Sequence, residues 1–109
     1  MSTHFANLGN LVIDNGGTTS SALTAYLDDA KTITITAPAA LSGTIGIEVS
    51  VDGGTTYTDL TSGGTDVTIG AGNAVTITDP AFNGLRVVSG GAEGAERTFQ
   101  VFKTFTVGR

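Results

Sequence analysis

Ile45, Ile47, Val49 and Val51 alternate with Thr44, Gly46, Glu48 and Ser50. A period of two puts the four branched apolar side chains on one face of a strand. Asp52-Gly53-Gly54 follows. Gly tolerates positive φ, and Asp bonds backbone two residues on, so this stretch predicts a turn. Thr55 to Leu60, carrying Thr56, Tyr57 and Thr58, reads as the returning strand. Residues 44–60 therefore predict a β-hairpin. Lys31 to Ala37 alternates as strictly, with Ile33 and Ile35 inward and Thr32, Thr34 and Thr36 outward, and Pro38 closes it. Asp66 to Ile69 and Ala74 to Thr78 read as two short strands pairing across Gly70 to Asn73, and Asp79-Pro80 ends the second. Phe82 is expected to plug one end of the fold. Gly84 to Ser89 is the next strand, and Gly90 to Glu96 is a Gly-rich acidic loop facing solvent or a basic patch. Arg97 to Val107 is the longest strand. Phe99, Val101, Phe105 and Val107 share one face with Lys103, while Phe102 lies among Thr and Gln on the other. This strand is expected at the centre of a sheet.

Two stretches are less regular. In residues 18–30, Leu23, Tyr26 and Leu27 fit a helical face, while Leu23, Ala25 and Leu27 fit a strand. A short strand or irregular segment is favoured, because about two turns of helix are marginal without packing. Residues 1–20 hold Phe5, Leu8, Leu11, Val12 and Ile13 ahead of the turn Asp14-Asn15-Gly16-Gly17. They read as an extended arm or a short strand, with residues 21–109 as the domain. The whole pattern gives about seven to nine short strands at roughly 8–12-residue spacing, the signature of a β-sandwich or barrel. The expectation is an antiparallel β-sandwich, Ig-like or jelly-roll-like.

Composition narrows the function classes. The chain has 109 residues, enough for one domain with its own core. Only 14% of residues are charged, against roughly 25% in average soluble domains. Polarity comes from Thr, Ser and Gly, a surface suited to a protein held against other subunits. The net charge is −5, and Lys31, Arg86, Arg97, Lys103 and Arg109 form no basic run, which argues against nucleic acid as partner. No apolar stretch approaches the ~20 residues of a membrane helix, so no membrane partner is expected. Nothing resembling a leader opens the sequence as given, so synthesis in a cytoplasm is expected.

The chemistry-bearing residues are sparse. There is no cysteine, and His4 is the one histidine. A nucleophilic triad or a zinc site needs more than that, so no catalytic residue, metal or cofactor is expected. Asp28, Asp29, Asp52, Asp59, Asp66, Asp79, Glu93 and Glu96 show no calcium-loop spacing. Asp52, Asp66 and Asp79 flank turn residues, where Asp serves the backbone. Ser50-Val51-Asp52-Gly53-Gly54-Thr55-Thr56-Tyr57 resembles an Asp-box, the S-x-D-x-G-x-T-W hairpin of sialidases and other β-proteins, with Tyr57 where Trp is usual. That resemblance implies a turn tied to itself by Asp and Ser side chains, without a catalytic role.

From about Leu23 to Val107 the chain resembles small tailed-phage virion proteins. The stretches are LDDAKTITITAPAALSGTIGIEVS, DGGTTYTDLTSGGTDVTIGAGNAVTI and LRVVSGGAEGAERTFQVFKTF. The chain is similar to capsid decoration (cement) proteins. The resemblance implies a non-enzymatic subunit on the virion surface, with the major capsid protein and copies of itself, as in a trimer, for partners. Residues 1–20 are then the docking arm, with Phe5, Leu8, Leu11 and Ile13 as apolar anchors. The alternative is a tail- or fibre-associated adhesion module binding host-surface glycans.

Overall fold

The computed structural model describes residues 2–27 and 29–107, and every described strand pairs antiparallel. Asp28 and Arg109, two of the charged positions named above, lie outside the described residues. The first sheet has the order β1-β10-β2-β8. These strands are β1 (Ser2–Ile13), β2 (Thr32–Thr36), β8 (Ala74–Thr78) and β10 (Arg97–Val107). The second sheet is built on β3 (Ile45–Ser50), with β9 (Gly84–Ser89) along one edge and β4 (Thr58–Asp59) and β7 (Thr68–Ile69) along the other. The pair β5 (Thr61–Ser62) and β6 (Thr65–Asp66) forms a small ribbon beside it.

Alternation decides which side chains meet between the sheets. Leu11 and Ile13 of β1, Ile33 and Ile35 of β2, and Phe99 and Val101 of β10 face Ile45 and Ile47 of β3, Ile69 of β7, and Leu85 and Val87 of β9. Leu27 and Phe82 complete this core. Burying each such side chain contributes about 1.5–3 kcal/mol. The architecture is thus an antiparallel β-sandwich. Strand β10 is central, with β1 and β2 on its two sides, as the concentration of Phe along it predicts.

Strands β1 and β10 pair from Ser2↔Val107 to Ile13↔Arg97. Residues 1–20 are therefore not a free arm. Their described part is an ordered edge strand followed by the turn that the Asp14-Asn15-Gly16-Gly17 signal predicts. His4 is held in this strand, its ring stacked on Phe105 with centroids 5.5 Å apart. The register slips between Asn7 and Gly9, where Gly9 sits at φ +121° and the Asn7 side-chain carbonyl accepts its N–H at 2.7 Å. This is a β-bulge, and it reverses which residues face inward on either side of it.

Two pairing expectations need correction. The returning strand of the 44–60 hairpin is only β4, and the main neighbour of β3 is β9, from Ile45↔Ser89 to Ser50↔Gly84. Asp66 to Ile69 does not pair with Ala74 to Thr78. Strand β7 joins β3 while β8 joins β2, so Gly70 to Asn73 crosses from one sheet to the other. Residues 18–27 have no helix. They run beside β9, with bridges Thr19↔Val88 and Leu23↔Leu85.

The Asp-box turn is tied as its sequence implies. Ser50 Oγ donates to Asp52 Oδ1 at 2.6 Å and accepts from the Gly54 amide at 2.9 Å. Asp52 Oδ1 also accepts the Thr55 and Thr56 amides at 3.1 and 2.9 Å. The Ser50 hydroxyl first, and the Thr56 amide second, hold the Asp52 carboxyl down to about 2. Asp52→Ala is expected to release this loop without unfolding the sandwich. Hydrogen exchange should show it, with the Thr55 and Thr56 amides exchanging faster and those of β10 unchanged.

Candidate assembly surface

The two outer faces of the sandwich differ in charge. On the first sheet, outward positions form ranks across the strands. Phe5, Thr104, Thr32 and Thr78 make one rank, and Asn7, Phe102, Thr34 and Thr76 the next. Asn10, Gln100, Thr36 and Ala74 make a third. Among the described residues no charged side chain stands in these ranks. Their hydroxyls bond one another, with Thr32 and Thr104 at 2.7 Å and Thr34 and Thr76 at 2.8 Å. Cross-strand Thr pairs of this kind stiffen a sheet and leave its face flat and neutral.

The second sheet carries the charge. Glu48 of β3 lies opposite Arg86 of β9, and Arg86 Nη2 reaches Glu48 Oε1 at 2.6 Å. The Arg86 guanidinium also lies 4.1 Å from the centre of the Tyr57 ring. Asp59 and Asp66 stand on the same side, around a shallow depression with Glu48 and Thr68.

The sandwich is open along one side. A groove of about 660 Å³ runs between β8 on one side and the end of β3 with Leu60, β5 and Val67 on the other. Val49, Leu60, Val67, Val75, Ile77 and Phe82 are among the residues lining it. Phe82 is buried at its end, which fits the plug expected of it. Val51, beside it, is 75% exposed.

The four predicted anchors do not share a face. Phe5 is 69% exposed and stacks on Phe102, with centroids 5.2 Å apart. Leu8, at the bulge, packs partly against the core. Leu11 and Ile13 are fully buried core residues, so they are not available to a partner. The bulge is the physical reason: it puts Phe5 on the outer face and Leu11 and Ile13 on the inner one. Of the four, Phe5 alone belongs to the neutral outer face.

The acidic loop also differs from expectation. Glu93 is 1% exposed and points inward. Its Oε1 accepts the Ser42 amide at 2.8 Å and Arg97 Nε at 2.8 Å. Its Oε2 accepts the Gly43 amide at 2.9 Å and the Ser89 hydroxyl at 2.7 Å. Burial pushes this carboxyl up, but the Ser42 amide, Ser89 hydroxyl, Arg97 guanidinium and Gly43 amide outweigh it and hold the group down to about 2. A side chain at Gly43 would collide with Ser89 Oγ and come within 2.9 Å of the Gly91 amide, so the loop closes only on glycine. The network clamps residues 42–43 to the start of β10. All of its acceptor capacity is used structurally, which leaves Glu93 no free role in acid–base chemistry.

Lys103 is the other buried ion among the described residues. Its Nζ donates to the Tyr26 carbonyl at 2.8 Å and pairs with Asp29. It fastens the irregular 18–30 segment to β10. No group of three or more His, Cys, Asp or Glu side chains able to hold a metal occurs among the described residues.

The chain matches no protein-family model and no curated protein. Among solved structures it is similar to a chain from Bacillus endospore appendages, described as a novel family of disulfide-linked pili. The identity is 12%, the match covers 96% of this chain and 88% of that one, and the TM-score is 0.45.

Proposed function

We propose that the chain is a non-enzymatic structural subunit that works in many copies on a larger particle, and that the particle is a tailed-phage capsid which it decorates and stabilises. The observation that carries this reading is the neutral outer face of the first sheet. In a chain of net charge −5, the described acidic residues lie elsewhere, and one broad face is left to Thr, Asn, Gln and Phe. Such a face can lie against another protein without burying unpaired charge. Exposed Phe5, stacked on half-buried Phe102, supplies an aromatic pair within it, the residue type that anchors interfaces. The ordered sandwich meets the mechanical need of a cement subunit, because a pre-formed surface loses little conformational entropy on docking.

The test is co-sedimentation of the purified chain with empty, expanded phage heads, followed by cryo-electron microscopy of the complex. Regular density at a symmetry position, with the Thr-lined face toward the capsid, is the expected result. A Phe5→Asp substitution should weaken binding about tenfold or more while leaving the fold intact. Absence of head binding overturns the capsid reading.

A further inference from the structure

We propose that two copies of this chain pair through strand β8, in antiparallel register centred on Thr76, to form a twofold dimer with a continuous eight-stranded sheet. The proposal deepens the reading of the chain as an assembly subunit. It is tested in solution, so it can fail while capsid binding stands, and the reverse.

Among the described residues the other sheet edges are covered, very short or interrupted. The outer edge of β9 is covered by residues 18–23, through Ser89 N to Thr18 O, Ser20 N to Val87 O and the exchanged bonds of Leu23 and Leu85. The opposite edge of that sheet consists of two-residue strands, too short to template a partner. The outer edge of β1 is interrupted by the bulge at Asn7 to Gly9 and is met at Val12 by Ser21, whose Oγ accepts the Val12 amide at 3.0 Å. Bulges and covers are the devices by which sheet edges are kept from pairing. Strand β8 has none of them. It is five residues, Ala-Val-Thr-Ile-Thr, with no charge, proline, glycine or bulge.

Its hydrogen-bonding groups are set for a partner. The bonds Ala37 N to Asn73 O and Asp79 N to Lys31 O fix the phase of the β2–β8 ladder. Val75 and Ile77 therefore bond to β2, and the amides and carbonyls of Ala74, Thr76 and Thr78 point away from it. No described strand pairs with that side. A second β8 placed antiparallel about Thr76 meets donors with acceptors at all three positions.

The side chains favour a second copy over a foreign strand. In this register Val75 faces Ile77 of the second copy across the twofold, on the groove side of the sheet. The two apolar grooves then adjoin, and four branched side chains that are half-buried in one copy cover each other. Each copy carries −5, so approach is easiest where charge is absent, and β8 and its outer face are uncharged. Pairing of β8 with β8 is self-complementary, so this contact closes at two rather than propagating.

Sedimentation velocity and native mass spectrometry should give a wild-type mass twice the 10.9 kDa of the chain. Thr76→Pro removes an outward amide and no backbone bond to β2, losing there only the exposed Thr34 hydroxyl contact, so it should shift the species to monomer with an unchanged circular dichroism spectrum. The chain has no cysteine, so single cysteines report the register directly. Thr76→Cys should form a disulfide-linked dimer on mild oxidation, because directly opposed residues sit about 5.5 Å apart, within disulfide reach. Thr78→Cys should not, because Thr78 opposes Ala74 of the other copy. A monomeric wild type, a dimer that survives Thr76→Pro, an open polymer, or equal cross-linking at both positions would overturn the proposal.

Discussion

Glu93→Ala is expected to cost about 3–5 kcal/mol of folding stability, the range for removing one partner of a buried ion pair. The substitution leaves the Arg97 guanidinium, two amides and the Ser89 hydroxyl without the carboxylate that satisfies them. Against a total of about 5–15 kcal/mol for an ordinary domain, that is a large fraction. Urea unfolding reads it as a lower midpoint. Glu93→Gln, which keeps the shape and one acceptor, should lose less. The same residue sets a pH dependence. Its carboxyl is lowered from 4.5 to about 2 in the folded chain. A lowered carboxylate stabilises the fold fully above its unfolded value and loses that contribution as the proton is taken up. Stability should therefore be level above about pH 5 and fall between pH 4.5 and 2, by about 3 kcal/mol from this residue. Urea midpoints measured across that window should slope in the wild type and slope less steeply in Glu93→Gln, the remaining slope coming from Asp52, whose carboxyl is also held down to about 2. A wild-type profile unchanged from about pH 5 down to about 2.5 would contradict the clamp.

Leu11→Ala and Phe5→Ala should separate widely although the two residues lie on one strand. Leu11 is fully buried opposite Phe99, and its truncation is expected to cost about 2–5 kcal/mol through lost burial and the cavity left behind. Phe5 is exposed, and its truncation should cost less than about 1 kcal/mol, mainly the stack on Phe102. Thermal denaturation of the two variants checks this. If both were mild, β1 would be acting as a docking arm after all. Equal large losses would place Phe5 in the core.

The contrast shows where a one-dimensional pattern stops. Alternation in TITIT, IGIEV and RTFQVFKTF identifies strands β2, β3 and β10 and their inward faces, because period two is a local property of the chain. Applied to β1 it puts Phe5, Leu11 and Ile13 on one face, since all three are odd-numbered positions. One residue inserted at Leu8 reverses that. The Asn-Leu-Gly sequence is the available signal, an Asn that can cap a Gly at positive φ. Partner choice is less legible. Asp66–Ile69 and Ala74–Thr78 have the spacing of a hairpin, yet Gly70–Asn73 carries the chain between sheets. Pattern fixes a residue's face, while tertiary packing selects the neighbouring strand. Glu93 is the least legible residue of all. Its loop is rich in Gly and acid, and nothing local shows Ser42 and Gly43 folding onto it. The spacing of Glu93 to Arg97, four residues from loop into strand, is the one local hint. The neutral ranks of Thr are readable strand by strand, but their union into a single face requires the order β1-β10-β2-β8.

The pairing of Ser2 with Val107 also governs how this molecule comes into being. During synthesis β1 is made before the other described strands and β10 after them, and β10 is the strand that both β1 and β2 need beside them. Until it emerges, the first sheet has no centre, and Leu11, Ile13, Ile33 and Ile35 have lost only part of their contact with water. Folding of the first sheet therefore waits on β10 and closes the long loop from Ser2 to Val107, which belongs to the slow, millisecond-to-second class of non-local β topologies. The nascent chain spends that interval with β1 and one side of β2 lacking their partner strand, the period in which a ribosome-bound chaperone has most to offer it.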